Sequence, residues 1–439
     1  MLIEFSVGNY RSFKEKVTFS MVAANLVAKD RKLDENNVFA VNKDLKLLKS
    51  AAIYGANASG KSNLAKALVF MKKFMIDSSR ETQSVDKIKV EPFRLSTETE
   101  KEPSFFELIF RVDNLQYRYG FEANQDRVIS EWLFYVPKSR ETKLFERKLN
   151  TISISKQYKA EGLQDKTRNN SLFLSVSAQF NVGIAEKILE WLSHTLNLVS
   201  VSLDDVYIGY TTNCLADDQD RLEIIKLIKN LDLGISEINI KSIDLTMDSI
   251  DSIIPFETPE ISKEGMRNIW EMVIKEANGK ETFVTTLHKK FDSSGNYQSM
   301  EKFNLERHES EGTQKLFVLA GYLVTALKEA KILVIDELES QLHPLITQAI
   351  VKLFNSNETN PNNAQLIFMT HDTNLLSNKL FRRDQIWFTE KNRYGATDLY
   401  SLAEYNVRND ASFESDYIKG RYGAIPYLGD LSNLVDIHG

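Results

Sequence analysis

One octapeptide constrains this chain more than any other feature. Gly55-Ala56-Asn57-Ala58-Ser59-Gly60-Lys61-Ser62 fits the pattern GxxxxGK[ST], and its flanks fit as well. The apolar run Leu47 to Tyr54 reads as a strand before it. Ser62 to Met75 reads as a helix after it, with Leu64, Ala67, Leu68, Met71 and Phe74 on one face. Strand, glycine-rich turn and helix in this order point to an α/β fold. The glycines let backbone N–H groups wrap a row of phosphates, and the helix N-terminus adds its positive end. Gly55, Asn57, Ser59, Gly60 and Asn63 therefore read as phosphate-binding positions. Lys61 reads as the cation on the outer phosphates and Ser62 as a hydroxyl ligand of a bound Mg²⁺.

Three later segments extend this site. Ile332-Leu333-Val334-Ile335-Asp336-Glu337 is a buried strand ending in two carboxylates, at the edge where open α/β sheets place ligand groups. Asp336 is expected to hold the Mg²⁺ and Glu337 to act as general base on an attacking water. Met369-Thr370-His371-Asp372 follows the next apolar strand, and His371 there is placed to hydrogen-bond a terminal phosphate. Before the carboxylate strand, Glu309-Ser310-Glu311-Gly312-Thr313-Gln314 opens a helix. Ser310 and Gly312 there form either an anion site or a plain N-cap.

The order of the four elements resembles that of ABC-type ATPases, with Ser310 and Gly312 at the signature position. Gly55 to Asn63 and the opening Asn9-Tyr10-Arg11-Ser12-Phe13 are similar to the RecF/SMC/Rad50/OLD branch. Glu131-Trp132-Leu133, Asn170 to Ser175, Ser310 to Gln314, Asp336 to Pro344 and Arg382 to Pro426 resemble the RloA, AbiLi and AriA type of ATPase from bacterial abortive-infection and anti-phage operons. The resemblance implies an ABC-type head, a mixed sheet with flanking helices plus an antiparallel β lobe, carrying a mixed, largely helical insertion. It implies ATP and Mg²⁺ as cofactors and catalysis by Glu337, His371 and Lys61; Arg11 reads either as a nucleotide contact or as an inert surface arginine. It further implies a homodimer or higher even oligomer, in which Ser310 and Gly312 of one copy complete the site of the other. A separately encoded effector, with a Toprim-like nuclease as one candidate, would be the partner. A RecF-like DNA-repair ATPase and a low-turnover ATP-binding scaffold are the alternatives. Glu311 replaces the first glycine of the usual signature, and no heptad pattern persists long enough for an SMC-type coiled coil.

Composition narrows the class further. At 439 residues the chain exceeds the roughly 250–300 that one core supports. The expected division is 1–136 for the N-terminal lobe with the glycine-rich loop, 137–279 for the insertion and 280–439 for the C-terminal lobe. Within the insertion, helices are expected at Gly183 to Leu196, at Asp220 to Leu231, and from Ser262 to a stop at Gly279. The longest dense apolar run, Leu316 to Leu327, is shorter than the about 20 residues a membrane span needs. With no apolar leader visible, a cytoplasmic, membrane-free protein is expected. Cys214 is the lone cysteine, which excludes an internal disulfide. A net charge of −6 gives no global pull toward nucleic acid, although Lys87, Lys89 and Arg94 could form a local basic stripe, so direct binding stays open. Arg382 and Arg383 read as a solvated helix end or as a partner or DNA contact, and His343 as a helix start or a dimer-interface loop. No nuclease domain within this chain is expected, since such a domain takes roughly 100 residues and fewer follow His371 here.

Overall fold

Two strand patterns build two different sheets. The computed structural model describes residues 1–81, 83–138, 140–199, 205–231, 234–244, 280–408 and 411–426. Apolar runs without alternation form a six-stranded sheet, because a parallel strand is covered on both faces. Its order is Leu196–Val199, Ile332–Ile335, Gln365–Met369, Ser50–Tyr54, Ile386–Lys391 and Thr397–Ser401. The first five strands are parallel and the last is antiparallel. Every residue of Ser50–Tyr54 is buried.

Alternating runs form the other sheet. Ser104–Val112 alternates buried and half-buried positions, as expected of a strand with one face on the core. The meander continues through Leu115–Ala123 and Val128–Val136, with Asp113 and Asn114 both at positive φ in the first turn. The full antiparallel sheet has seven strands and ends on Leu2–Gly8 and Val17–Ser20. The α/β class and the antiparallel lobe are as the sequence implied.

The helix Lys61–Asp77 buries Leu64, Leu68, Met71 and Met75 in a core that draws on both sheets, including Ile53, Phe106 and Phe121. Phe70 lies 5.0 Å from Phe106 and Phe74 lies 5.4 Å from Phe121, ring centre to ring centre. Gln365 clips the sheets together: its Oε1 accepts from Leu2 N at 2.7 Å and its Nε2 donates to Leu2 O at 3.0 Å. Burying an amide in this way is favourable only because both of its ends are paired.

The chain divides into two compact units, but not at the expected boundaries. One comprises Met1–Val201 with Ala326–Gly439, and the other Ser202–Thr325. Strand pairing explains the difference from 137–279. Thr142–Lys148 and Thr151–Ile154 extend the seven-stranded sheet, and Leu196–Val199 edges the parallel one. The helices Phe173–Gln179 and Gly183–Thr195 bury Phe173, Leu174, Ile188 and Leu192 in the first unit's core. At the other boundary, the hairpin Lys280–Phe291 and Tyr297–Asn304 pairs with Ile235–Asp244 and so belongs to the second unit.

Among its described residues the second unit is mixed, with more helix than strand, the helices including Leu305–His308 and the start of Glu311–Glu329. It combines that three-stranded sheet with the helices Asp205–Cys214 and Asp218–Asn230 around Ile224, Ile228, Ile238 and Phe317. The helix expected from Ser262 to Gly279 lies outside the described residues. Among the described residues no helix is long and apolar enough to cross a membrane.

Candidate nucleotide site

The glycine-rich loop leaves the parallel sheet at Tyr54 and enters the helix at Lys61. Two of its glycines are required by crowding. A Cβ on Gly55 would stand 2.4 Å from Thr389 O, and one on Gly60 would stand 2.4 Å from Thr397 Oγ1. Gly60 also has φ +119, a conformation that L side chains rarely adopt. The same threonines hold the loop. Ser59 Oγ and Thr389 Oγ1 share a 2.6 Å hydrogen bond, and Thr397 Oγ1 donates to Ser59 O at 2.7 Å. Asn63 Nδ2 donates to Ser12 Oγ at 2.8 Å, and Thr397 N donates to Ser12 O at 2.7 Å. The loop is thus braced by Ser12 in a turn near the N-terminus and by Thr389 and Thr397 in two paired strands more than 300 residues away.

The N-terminal Asn-Tyr-Arg-Ser-Phe run works as a sharp turn. Asn9 and Arg11 both have positive φ, and Tyr10 and Phe13 exchange backbone hydrogen bonds. Ser12 faces the loop, whereas Arg11 does not serve it. The Arg11 guanidinium pairs with Glu91 at 2.6 Å, and Arg11 N donates to Glu91 O at 2.8 Å. In this structure the Arg11 side chain is paired with Glu91 at the surface and is not part of the lining of either cavity that flanks the loop.

The loop carries a cavity of ≈ 390 Å³, lined by Asn57 to Asn63, Glu337, His371 and Lys391. Lys61 is only 5% exposed. Its Nζ donates to Gly55 O at 2.7 Å and Ala56 O at 3.1 Å, and lies 3.5 Å from His371 Nδ1. Burial lowers the Lys61 pKa to about 8, against the opposing pull of Asp336, Glu339 and Glu337. His371 is also held below its ordinary value, first by burial and then by the Lys61 charge. A neutral imidazole beside a lysine ammonium can accept its proton in a hydrogen bond. His371 N donates to Glu339 Oε1, so Glu339 sets the turn that presents the imidazole.

Asp336 follows the buried Ile332–Ile335 strand, and its Oδ1 is buried with no hydrogen-bond partner. An orphaned carboxylate oxygen is costly unless something cationic meets it. Among the described residues no group of three or more His, Cys, Asp or Glu could hold a metal. A cation bound by one carboxylate, one hydroxyl and phosphate oxygens suits Mg²⁺. Ser62 and Asp336 fit that set.

In the second unit, Ser310 caps the Glu311–Glu329 helix, accepting from Thr313 N at 3.2 Å. The N-cap reading is therefore realised within the chain, and Gly312 sits in the first turn. Glu309, just before it, accepts from Thr286 Oγ1 and lies 2.7 Å from His288 Nε2. His343 is exposed and caps the Pro344–Phe354 helix by accepting from Leu345 N.

Arg382 is not a surface contact. It is buried and paired with Asp34 and Asp384, and it donates to Ala24 O at 3.0 Å. Arg383 donates to Val407 O at 2.9 Å. The tail docks on its own unit. Tyr417 stacks on Phe388 at 5.4 Å, and Ala424, Ile425 and Pro426 line a second cavity of ≈ 610 Å³ beside Gly55 to Ser59.

Thr389, Thr397, Glu339 and Lys391 were missed by sequence reasoning. Only Glu339 carried a signal, its place two residues after the Asp336-Glu337 pair.

A family model described as "AAA domain, putative AbiEii toxin, Type IV TA system" matches residues 50–377. No curated protein matches the sequence significantly. Among solved structures, the chain is similar to the SMC head domain from Thermotoga maritima, with a TM-score of 0.39 and 11% identity over 91% of this chain and 98% of that one. It is similar to an SMC head bound to the C-terminal winged-helix domain of ScpA, with a TM-score of 0.40 and 14% identity over 91% and 97%. A third is the SMC head with an extended coiled coil bound to the C-terminal domain of ScpA derived from Pyrococcus furiosus, with a TM-score of 0.38 and 12% identity over 96% and 98%.

Proposed function

The chain belongs to this AAA-domain family, and on that premise we propose that it is a Mg²⁺-dependent ATPase that works as a head-to-head dimer and controls a separately encoded effector in anti-phage defence. The observation that carries the reading is the loop cavity, where Lys61, Glu337 and His371 converge on one edge of the parallel sheet. Lys61 neutralises the outer phosphates, and backbone N–H groups of the loop orient them. Glu337 takes a proton from the attacking water. His371, kept neutral by burial and by Lys61, reports the terminal phosphate through a hydrogen bond. Mg²⁺ bound at Ser62 and Asp336 supplies charge neutralisation on the phosphate oxygens.

Ser310 and Gly312 complete the partner copy's site in this reading. A Ser310→Arg variant then binds ATP but does not hydrolyse it. Mixing Ser310→Arg with Lys61→Ala chains restores one intact site per heterodimer, read as recovered phosphate release. A verified heterodimer that recovers no activity argues against the composite site.

The toxin–antitoxin description of the family supports a role that depends on a second component. The purified chain alone is expected to leave DNA and tRNA intact with Mg²⁺ and ATP, and to act on them only with the product of the adjacent gene. Cleavage by the repurified chain alone, lost in Asp336→Ala, would overturn the effector arm.

A further inference from the structure

We propose that Lys391 is a second cationic ligand for the nucleotide phosphates, a role that the sequence left open for Arg11. The inference rests on the nucleotide reading of the loop and adds a residue to it. Lys391 ends the Ile386–Lys391 strand, which runs parallel to Ser50–Tyr54 with Phe388 opposite Tyr54. Its strand end therefore lies at the same sheet edge as the loop. Its backbone is fixed there: Lys391 pairs with Thr397, and Thr397 Oγ1 holds Ser59 O. Its side chain is exposed.

Lys391 lines both the ≈ 390 Å³ and the ≈ 610 Å³ cavities, and shares Asn57, Ala58, Ser59 and His371 between them. Among the described residues lining either cavity, Lys61 and Lys391 are the lysines, and no arginine is present. Charge balance gives the second lysine its role. A triphosphate with one divalent cation keeps negative charge that Lys61 alone does not cancel. Asp336, Glu337 and Glu339, close enough to act on Lys61, add more negative charge. A tethered ammonium at the rim offsets it, and its exposure makes the contribution sensitive to salt.

The test is ATP affinity by equilibrium titration at low and high salt for wild type, Lys61→Ala, Lys391→Ala and Lys391→Arg. A charge-assisted hydrogen bond lost in Lys391→Ala weakens binding about tenfold at low salt, and less at high salt. Lys391→Arg keeps the charge and binds within about threefold of wild type. Because Lys391 is exposed, unfolding without nucleotide is expected to match wild type in both variants. A wild type that binds no ATP would defeat the nucleotide reading itself. Wild-type binding that is lost in Lys61→Ala but unchanged within twofold in Lys391→Ala would overturn the assignment of Lys391 alone.

Discussion

Replacing Glu337 by glutamine is expected to leave ATP binding intact and to cut turnover by about 10²–10⁴-fold, the usual worth of a positioned general base. Glutamine keeps the size of the side chain and removes the basic carboxylate. Glu337 lines the loop cavity and sits at φ 53, a conformation that costs a non-glycine residue about 1–2 kcal/mol. The turn is held by Leu338 N donating to Met369 O at 3.2 Å and Ser340 N donating to Glu337 O at 3.1 Å. Strain of this sort is retained where surrounding structure over-determines it, often at reacting groups. Steady-state phosphate release together with a binding titration checks the prediction. Unchanged release in the variant would remove Glu337 from the proton-transfer role. Retained binding with lost release should also lengthen the life of the ATP-bound dimer, which light scattering can follow.

Lys61→Ala is expected to abolish the stabilisation that ATP confers. With ligand at 100-fold its Kd, the wild type gains about 2.7 kcal/mol. The variant should gain almost nothing, because the outer phosphates lose their cation and the loop loses two internal contacts. Lys61 Nζ holds Gly55 O and Ala56 O at once, so its removal also loosens the loop before any nucleotide arrives. Thermal unfolding with and without ATP separates these effects. The nucleotide-free midpoint reports the loop and the shift on adding ATP reports the phosphate contact. An equal ATP shift in both proteins would sink the role assigned to Lys61.

Local features were legible without coordinates. The octapeptide with its strand and helix and the four-residue strand before Asp336 and Glu337 are short-range patterns. Each depends on neighbours in sequence, through period, turn residues and the steric freedom of glycine. The places of Asp336, Glu337 and His371 just past strand ends, and of Lys61 at the start of the helix after the loop, could be read from sequence.

Tertiary structure decided what depends on pairing across the chain. Arg11 reads in sequence either as a nucleotide contact or as an inert surface arginine, and its left-handed turn delivers it to Glu91, eighty residues away. Thr389, Thr397 and Lys391 carry no motif. They reach the loop only because Ile386–Lys391 pairs with Ser50–Tyr54 and Thr397–Ser401 pairs with Ile386–Lys391. The unit boundary moved for the same reason, since a hairpin after the expected insertion takes Ile235–Asp244 as its partner strand. Sequence alone therefore determined the glycine-rich loop and the acids that follow the strand Ile332–Ile335, because backbone conformation and burial are local properties. Which side chains brace that loop, and which cation besides Lys61 stands at its rim, was left to the order of strands in the sheet, a non-local choice made by the packing of the whole unit.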